Sequence, residues 1–258
     1  MKKKVIIACC LALLLWNKAT ATTLKMAFGA DPVSLDPHEQ LSESTLQFSH
    51  LTFDPLLRWK QNGQFESRLA TKWERINNLT MRFYLRKNVS FQTGNAFSAK
   101  DVVYTINRLK TSPDFRAMFD TIQSVSIVDD FTVDVHTTYT NPLLLNIMTY
   151  VFPMDKLFYQ DKDQIVKYGE TFASRNVSGT GPFVLVSREL GSRMELIRNP
   201  NYWDTESDGN VDKIILTPIR ADSTRLAALL SGDVDFIFPV SPIDTQRTKK
   251  IKGIQLVT

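Results

Sequence analysis

Residues 179–203 read GTGPFVLVSRELGSRMELIRNPNYW. Two glycines and a proline open the stretch, and Tyr202 and Trp203 close it. Gly179-Thr180-Gly181 supplies the first two glycines of a G-x-G-x-x-G loop. The sixth position is Val184, and Pro182 lacks the backbone N–H that a phosphate would use. In the nucleotide-binding motif a strand precedes the glycines and a helix follows them. Here residues 183–186 are apolar and strand-like, 189–192 form a turn around Gly191, and 194–197 are strand-like again. The stretch is therefore predicted to be a β-hairpin whose glycines serve a sharp chain entry.

Upstream, residues 23–28 (TLKMAF) read as a first strand, broken by Gly29-Ala30-Asp31-Pro32; Asp36-Pro37 is a second turn signal. Residues 79–85 alternate apolar and polar, as a half-buried strand does. Ser98 can cap a helix, with Asp101 suited to its positive N-terminus and Val102, Val103, Ile106 and Leu109 on one face. Residues 125–137 form two β-branched runs around Asp129-Asp130, which predicts a hairpin. Asn141-Pro142 opens an apolar helix over 143–148, and a more polar helix is expected over 157–168. Downstream, 213–219 is strand-like, 222–230 helical with Gly232 placed to end it, 234–238 strand-like, 241–250 helical and 254–257 strand-like. This order predicts a parallel sheet unit in an α/β chain. It stops at Thr258, inside the last predicted strand, so a truncated member of a longer protein is expected.

The first 21 residues have their own logic. Lys2, Lys3 and Lys4 precede a run of 12 apolar residues (5–16), and Ala19-Thr20-Ala21 offers a cleavage site. Such a segment is a removable export signal rather than part of the fold. A lipid anchor at Cys9 would leave only residues 5–8 as the apolar core, so a soluble exported protein is expected. Both cysteines, Cys9 and Cys10, lie in the leader, which leaves residues 22–258 without a thiol or disulfide. The leader also holds four lysines and no acid. Residues 22–258 carry 27 basic and 27 acidic side chains. That balance gives no clustered basic surface for nucleic acid.

Catalytic signatures fail one by one. His38-Glu39-Gln40-Leu41-Ser42 begins like the zinc-protease H-E-x-x-H helix but has serine at the second ligand position. His38, His50 and His136 are the only histidines, and His136 reads as a surface or pairing residue of a strand. Neither a G-x-S-x-G elbow nor a Walker loop occurs. Adjacent Asp129 and Asp130 are ordinary turn residues. No metal or cofactor is expected, and a secreted hydrolase, the alternative of another class, lacks a catalytic set.

Gly179-Thr180-Gly181-Pro182-Phe183, followed by Leu196-x-Arg198-Asn199-Pro200-Asn201-Tyr202-Trp203, resembles the signature of family 5 solute-binding proteins, the extracytoplasmic receptors of bacterial ABC importers. Other blocks agree in order: Ser34-Leu35-Asp36-Pro37-His38; Phe53-Asp54-Pro55-Leu56-Leu57-Arg58, Leu69-Ala70 and Trp73-Glu74; Phe83-x-Leu85-Arg86 and Phe97-Ser98-Ala99-x-Asp101-Val102; and Arg225 through Asp235. Ser67, Thr93 and Ala96 depart from the pattern at loop positions. The resemblance implies a periplasmic-binding-protein type II-like fold: a mixed-sheet lobe with an inserted α+β subdomain over roughly 45–178, the second lobe missing. It implies a periplasmic receptor that binds di- or oligopeptides and delivers them to permease subunits in the inner membrane. Nickel chelates and glutathione are the alternatives within the family. The segments that border ligand in relatives fall here on Val33, Ser34, His38, Gln40 and Thr45, on Arg116 and Met118, and on Thr149 and Tyr150. His38 alone is a poor metal ligand set.

Overall fold

The computed structural model describes residues 21–162, 170–206, 209–249 and 251–256. The leader and its Ala19 lie outside the described residues; Ala21 begins them. Strand β1 (Thr23–Phe28) runs through a long loop into α1 (Glu43–Thr52). A small ribbon of β2 (Leu57–Trp59) and β3 (Phe65–Ser67) precedes β4 (Ala70–Asn77) and β5 (Thr80–Leu85). Then come α2 (Ala99–Leu109), α3 (Arg116–Phe119), β6 (Ile122–Asp129) and β7 (Thr132–Thr137). Short helices α4 (Leu144–Met148) and α5 (Lys156–Tyr159) lead to the hairpin of β8 (Phe183–Glu189) and β9 (Arg193–Arg198). The chain continues through β10 (Lys213–Pro218), α6 (Asp222–Ser231), β11 (Phe236–Phe238) and α7 (Pro242–Thr248).

Two main sheets result. The first has the order β11-β1-β10-β9-β8. In it β1 is parallel to both β10 and β11, while β9 is antiparallel to β10 and to β8. The crossover through α6 thus sets β10 and β11 on either side of β1. The second sheet is antiparallel, with order β4-β5-β7-β6, and its strands all come from the chain between β1 and β8.

Side-chain alternation along β1 explains how the first sheet is covered. Met26 and Phe28 point to one face and pack with Phe48 of α1, Met194, Leu196, Ile214 and Leu216. Ala27 points to the other and packs with Leu226 of α6, Val234 and Ile237, as period-two geometry requires. A buried phenylalanine such as Phe48 contributes about 2–3 kcal/mol of transfer free energy. The second sheet holds the largest core, where Met81, Phe83, Leu85, Val133 and Val135 meet Val102, Ile106 and Leu109 of α2. Ser98 and Asp101 close a reciprocal capping box at the start of α2, and Gly232, at φ 80°, ends α6 in the left-handed region.

The structure also departs from the sequence reading. Residues 254–256 are irregular rather than a strand, and Val257 lies outside the described residues. The polar helix predicted over 157–168 begins as α5 and reaches its C-cap at Gln160; residues 163–169 lie outside the described set. Helix α1 was not anticipated. Its buried face carries Thr45, Ser49 and Thr52 beside Phe48, so no apolar stripe announces it. The hydroxyls of Ser49 and Thr52 bond back to Thr45 O at 2.7 Å and Phe48 O at 3.3 Å, which satisfies the polar groups inside the helix itself.

Candidate functional site

The loop between β1 and α1 is enclosed rather than loose: residues 34–39 are all buried. Asp36 and Arg108 of α2 form a bidentate ion pair, with Nη1 to Oδ1 at 3.0 Å and Nη2 on Oδ2. Both side chains are buried, the arrangement in which removing one partner costs most. The Ser112 hydroxyl donates to His38 O at 2.6 Å, and Leu41 N donates to the Asp114 carboxylate at 2.9 Å. Leu35 N reaches Ser174 O at 3.1 Å. The loop is therefore fixed to the α2–α3 region and to the segment before β8.

His38 ties this frame to the third candidate segment. Phe152 N donates to its Nε2 at 3.3 Å, which makes Nδ1 the protonated nitrogen of a neutral ring. Its imidazole lies 6.1 Å from the Phe115 ring and 6.2 Å from Phe152. Phe115 in turn meets Tyr150 edge-on at 6.2 Å. Burial holds the His38 pKa well below the usual imidazole value, the charge of Arg108 lowers it further, and the Tyr150 backbone opposes both.

The nine residues expected near a ligand thus fall into two groups. Val33 is 53 % exposed, Arg116 is exposed and Gln40 half-buried. Ser34, His38 and Thr45 are fully enclosed. Ser34 Oγ donates to the Glu39 carboxylate and accepts from Asp36 N, while Thr45 accepts from the Ser42 cap. Met118 and Tyr150 are half-buried against the large core, and Thr149 Oγ1 bonds Asn146 O at 2.7 Å. His38, Phe115, Tyr150 and the residues of α3 are brought together; Val33 stands apart, next to the Asp31–Arg188 pair that joins the loop to β8.

Sequence reasoning missed the hub beneath the signature. The Asp54 carboxylate accepts from Arg68 at 2.8 Å, Trp203 Nε1 at 2.8 Å, Tyr202 Oη at 3.1 Å and Thr180 Oγ1 at 3.2 Å. The guanidinium groups of Arg68 and Arg86 both lie over the Trp203 ring, 4.7 and 4.1 Å from its centre, as cation–π contacts. The two glycines serve close approach rather than a turn. A Cβ on Gly179 would lie 2.1 Å from Thr52 O, and one on Gly181 2.5 Å from Thr52 C. Gly181 N donates to Thr52 O at 3.0 Å and Asn199 Nδ2 to Gly181 O at 2.9 Å. The signature thus fastens the β8–β9 hairpin to the end of α1 and to the Phe53-Asp54 block. The resemblance placed Asp54 and Tyr202-Trp203 in its blocks, but nothing in one sequence pairs positions so far apart.

The family model for bacterial extracellular solute-binding proteins, family 5 Middle, matches residues 64–258. The chain belongs to this family. Among curated family 5 relatives, the periplasmic murein peptide-binding protein MppA of Escherichia coli is 26% identical over 227 residues, covering 80% of this chain and 41% of MppA. Heme-binding protein A of Haemophilus influenzae is 27% identical over 265 residues, covering 93% of this chain and 47% of the relative. This chain therefore spans about half the length of these relatives. The oligopeptide-binding protein AppA of Bacillus subtilis, solved in complex with a nonapeptide, superposes with a TM-score of 0.79 at 19% identity. That match covers 90% of this chain and 47% of AppA and shows the shared fold. Among the described residues, no three His, Cys, Asp or Glu side chains come together to hold a metal. No described helix is long and apolar enough to cross a membrane.

Proposed function

We propose that this chain is the first-lobe portion of a periplasmic receptor that captures short peptides and hands them to the permease of an ABC importer. The observation that carries the reading is family 5 membership, taken together with a peptide-binding relative that aligns over 80% of the chain. Residues 1–21 act as the export signal, removed after Ala21. Residues 22–258 form one solute-binding unit, with roughly 45–178 as a subdomain inserted into the first lobe.

The peptide lies along Val33, Gln40 and Arg116, with Met118, Thr149 and Tyr150 at its border. Ser34, His38 and Thr45 hold that border in place from beneath. A rigid loop of this kind suits an extended peptide, whose main chain is satisfied by loop and strand edges while open space accepts varied side chains. The receptor binds and releases its solute unchanged, and no residue here acts on a scissile bond.

Native mass spectrometry of the protein isolated from its host tests the reading. Short peptides are the expected cargo. Recovery of haem, a nickel chelate or glutathione without peptides would contradict it, and conversion of added peptide to shorter products would contradict the non-enzymatic role.

A further inference from the structure

Sulfur is distributed unevenly along this chain. Both cysteines, Cys9 and Cys10, lie in the leader, so residues 22–258 contain no thiol. Methionine is then the sulfur side chain of that part, at positions 26, 81, 118, 148, 154 and 194. Five of these are shut inside the cores. Met148 and Met154 are 0% exposed, Met194 1%, Met81 5% and Met26 9%. Met118 alone among them is half-buried.

The position of Met118 accounts for the difference. Helix α3 is a single short turn, Arg116–Phe119. Phe119 is fully enclosed, while Arg116 is exposed. Met118 is intermediate: it packs against the large core and keeps part of its surface open to solvent. Its backbone N–H donates to Phe115 O at 2.9 Å, and the Phe115 ring in turn meets His38 and Tyr150. The one accessible thioether among the described residues therefore stands at the border assigned to the peptide.

We propose that Met118 is an oxidation site, and that its conversion to the sulfoxide weakens peptide capture. The oxidant is hydrogen peroxide. A sulfur lone pair attacks one peroxide oxygen, the S–O bond forms and the O–O bond breaks. The departing hydroxide takes the proton of the new S–OH group and leaves as water. Sulfur is thereby oxidised by two electrons and the peroxide reduced. A flexible apolar side chain becomes a polar one. The sulfoxide oxygen is costly against an apolar core that offers it no donor, so the side chain turns outward into the space where the peptide lies. This consequence rests on the peptide-receptor reading and adds to it a chemical control of the same border; the preference for Met118 over the enclosed methionines rests on burial alone.

The test treats the protein isolated from its host with limiting hydrogen peroxide. Peptide mapping by mass spectrometry locates the sulfoxide, and calorimetric titration with di-, tri- and tetra-alanine follows binding. Sulfoxide is expected at Met118 ahead of the five enclosed methionines, with peptide affinity lowered about tenfold. Methionine sulfoxide reductases of both epimer specificities, supplied with dithiothreitol, should restore the affinity. Met118→Leu keeps the apolar volume but lacks the thioether, so its affinity should be the same before and after peroxide. Sulfoxide spread evenly over buried and half-buried methionines would overturn the site. Selective oxidation of Met118 with unchanged affinity would overturn the control of binding while leaving the peptide-receptor reading intact. Failure of the untreated protein to bind any peptide would overturn both.

Discussion

Trp203 Nε1 donates a 2.8 Å hydrogen bond to the same Asp54 carboxylate that pairs with buried Arg68. This contact joins the exit of the β8–β9 hairpin to the end of α1 and makes one acidic side chain the meeting point of two distant signature blocks. Asp54→Ala would leave the Arg68 charge enclosed without its main partner. The expected loss is about 3–5 kcal/mol, read as a lowered urea midpoint with an unchanged slope.

The glycines of the hairpin separate two kinds of constraint. Gly181→Ala forces a Cβ into the Thr52–Phe53 backbone, 2.5 and 2.6 Å from its atoms, and should cost about 2–3 kcal/mol. Gly191 stands at φ 73° with nothing within 4 Å of an added Cβ, so Gly191→Ala meets only conformational strain, about 1–2 kcal/mol. Equal midpoints for the two variants in urea titration would contradict the close-approach account.

Stability should fall in acid through His38. Its folded pKa is depressed, first by burial and then by Arg108, so below the unfolded value of 6.5 the unfolded chain binds more protons. The stabilisation is present above that value and lost as pH falls below it. His50, edge-on to Phe152 at 5.1 Å, is lowered to about 4, first by desolvation. It acts in the same direction, but its residue is open to solvent, which makes its share the smaller. Asp36, paired with Arg108, buried Glu39 and Asp114 are the other charged groups around the loop. His38→Gln keeps an acceptor for Phe152 N, and its urea midpoint should depend less steeply on pH in this window.

The buried Asp36–Arg108 pair offers a further test. Asp36→Ala alone should cost about 3–5 kcal/mol, whereas Asp36→Leu combined with Arg108→Met should recover most of that loss. Additive losses in the double variant, measured by equilibrium unfolding, would show that the pair acts through something other than mutual neutralisation.

Elements with a local signature were legible in the sequence. Strand β1, the capped helix α2, the two hairpins and the Gly232 stop each follow from periodicity or from a capping or turn residue. Helix α1 and strand β4 were not legible. The first buries hydroxyls in place of an apolar stripe, and the second is an edge strand most of whose residues are exposed or half-buried, so neither shows its period. At the candidate site, the resemblance supplied the residues but not their division into an exposed rim and an enclosed frame. That division depends on Arg108, Ser112 and Phe152, contacts more than 70 residues from the loop they hold. The same holds for Asp54, whose partners come from three separate parts of the chain.

The most direct test of the account is amide hydrogen exchange on the protein from its host, with and without a bound short peptide. The account predicts added protection at Val33, Gln40 and residues 114–118 and 149–150, and no change at the hairpin tip around Gly191. Protection centred on residues 179–203, with the loop after β1 unchanged, would contradict it.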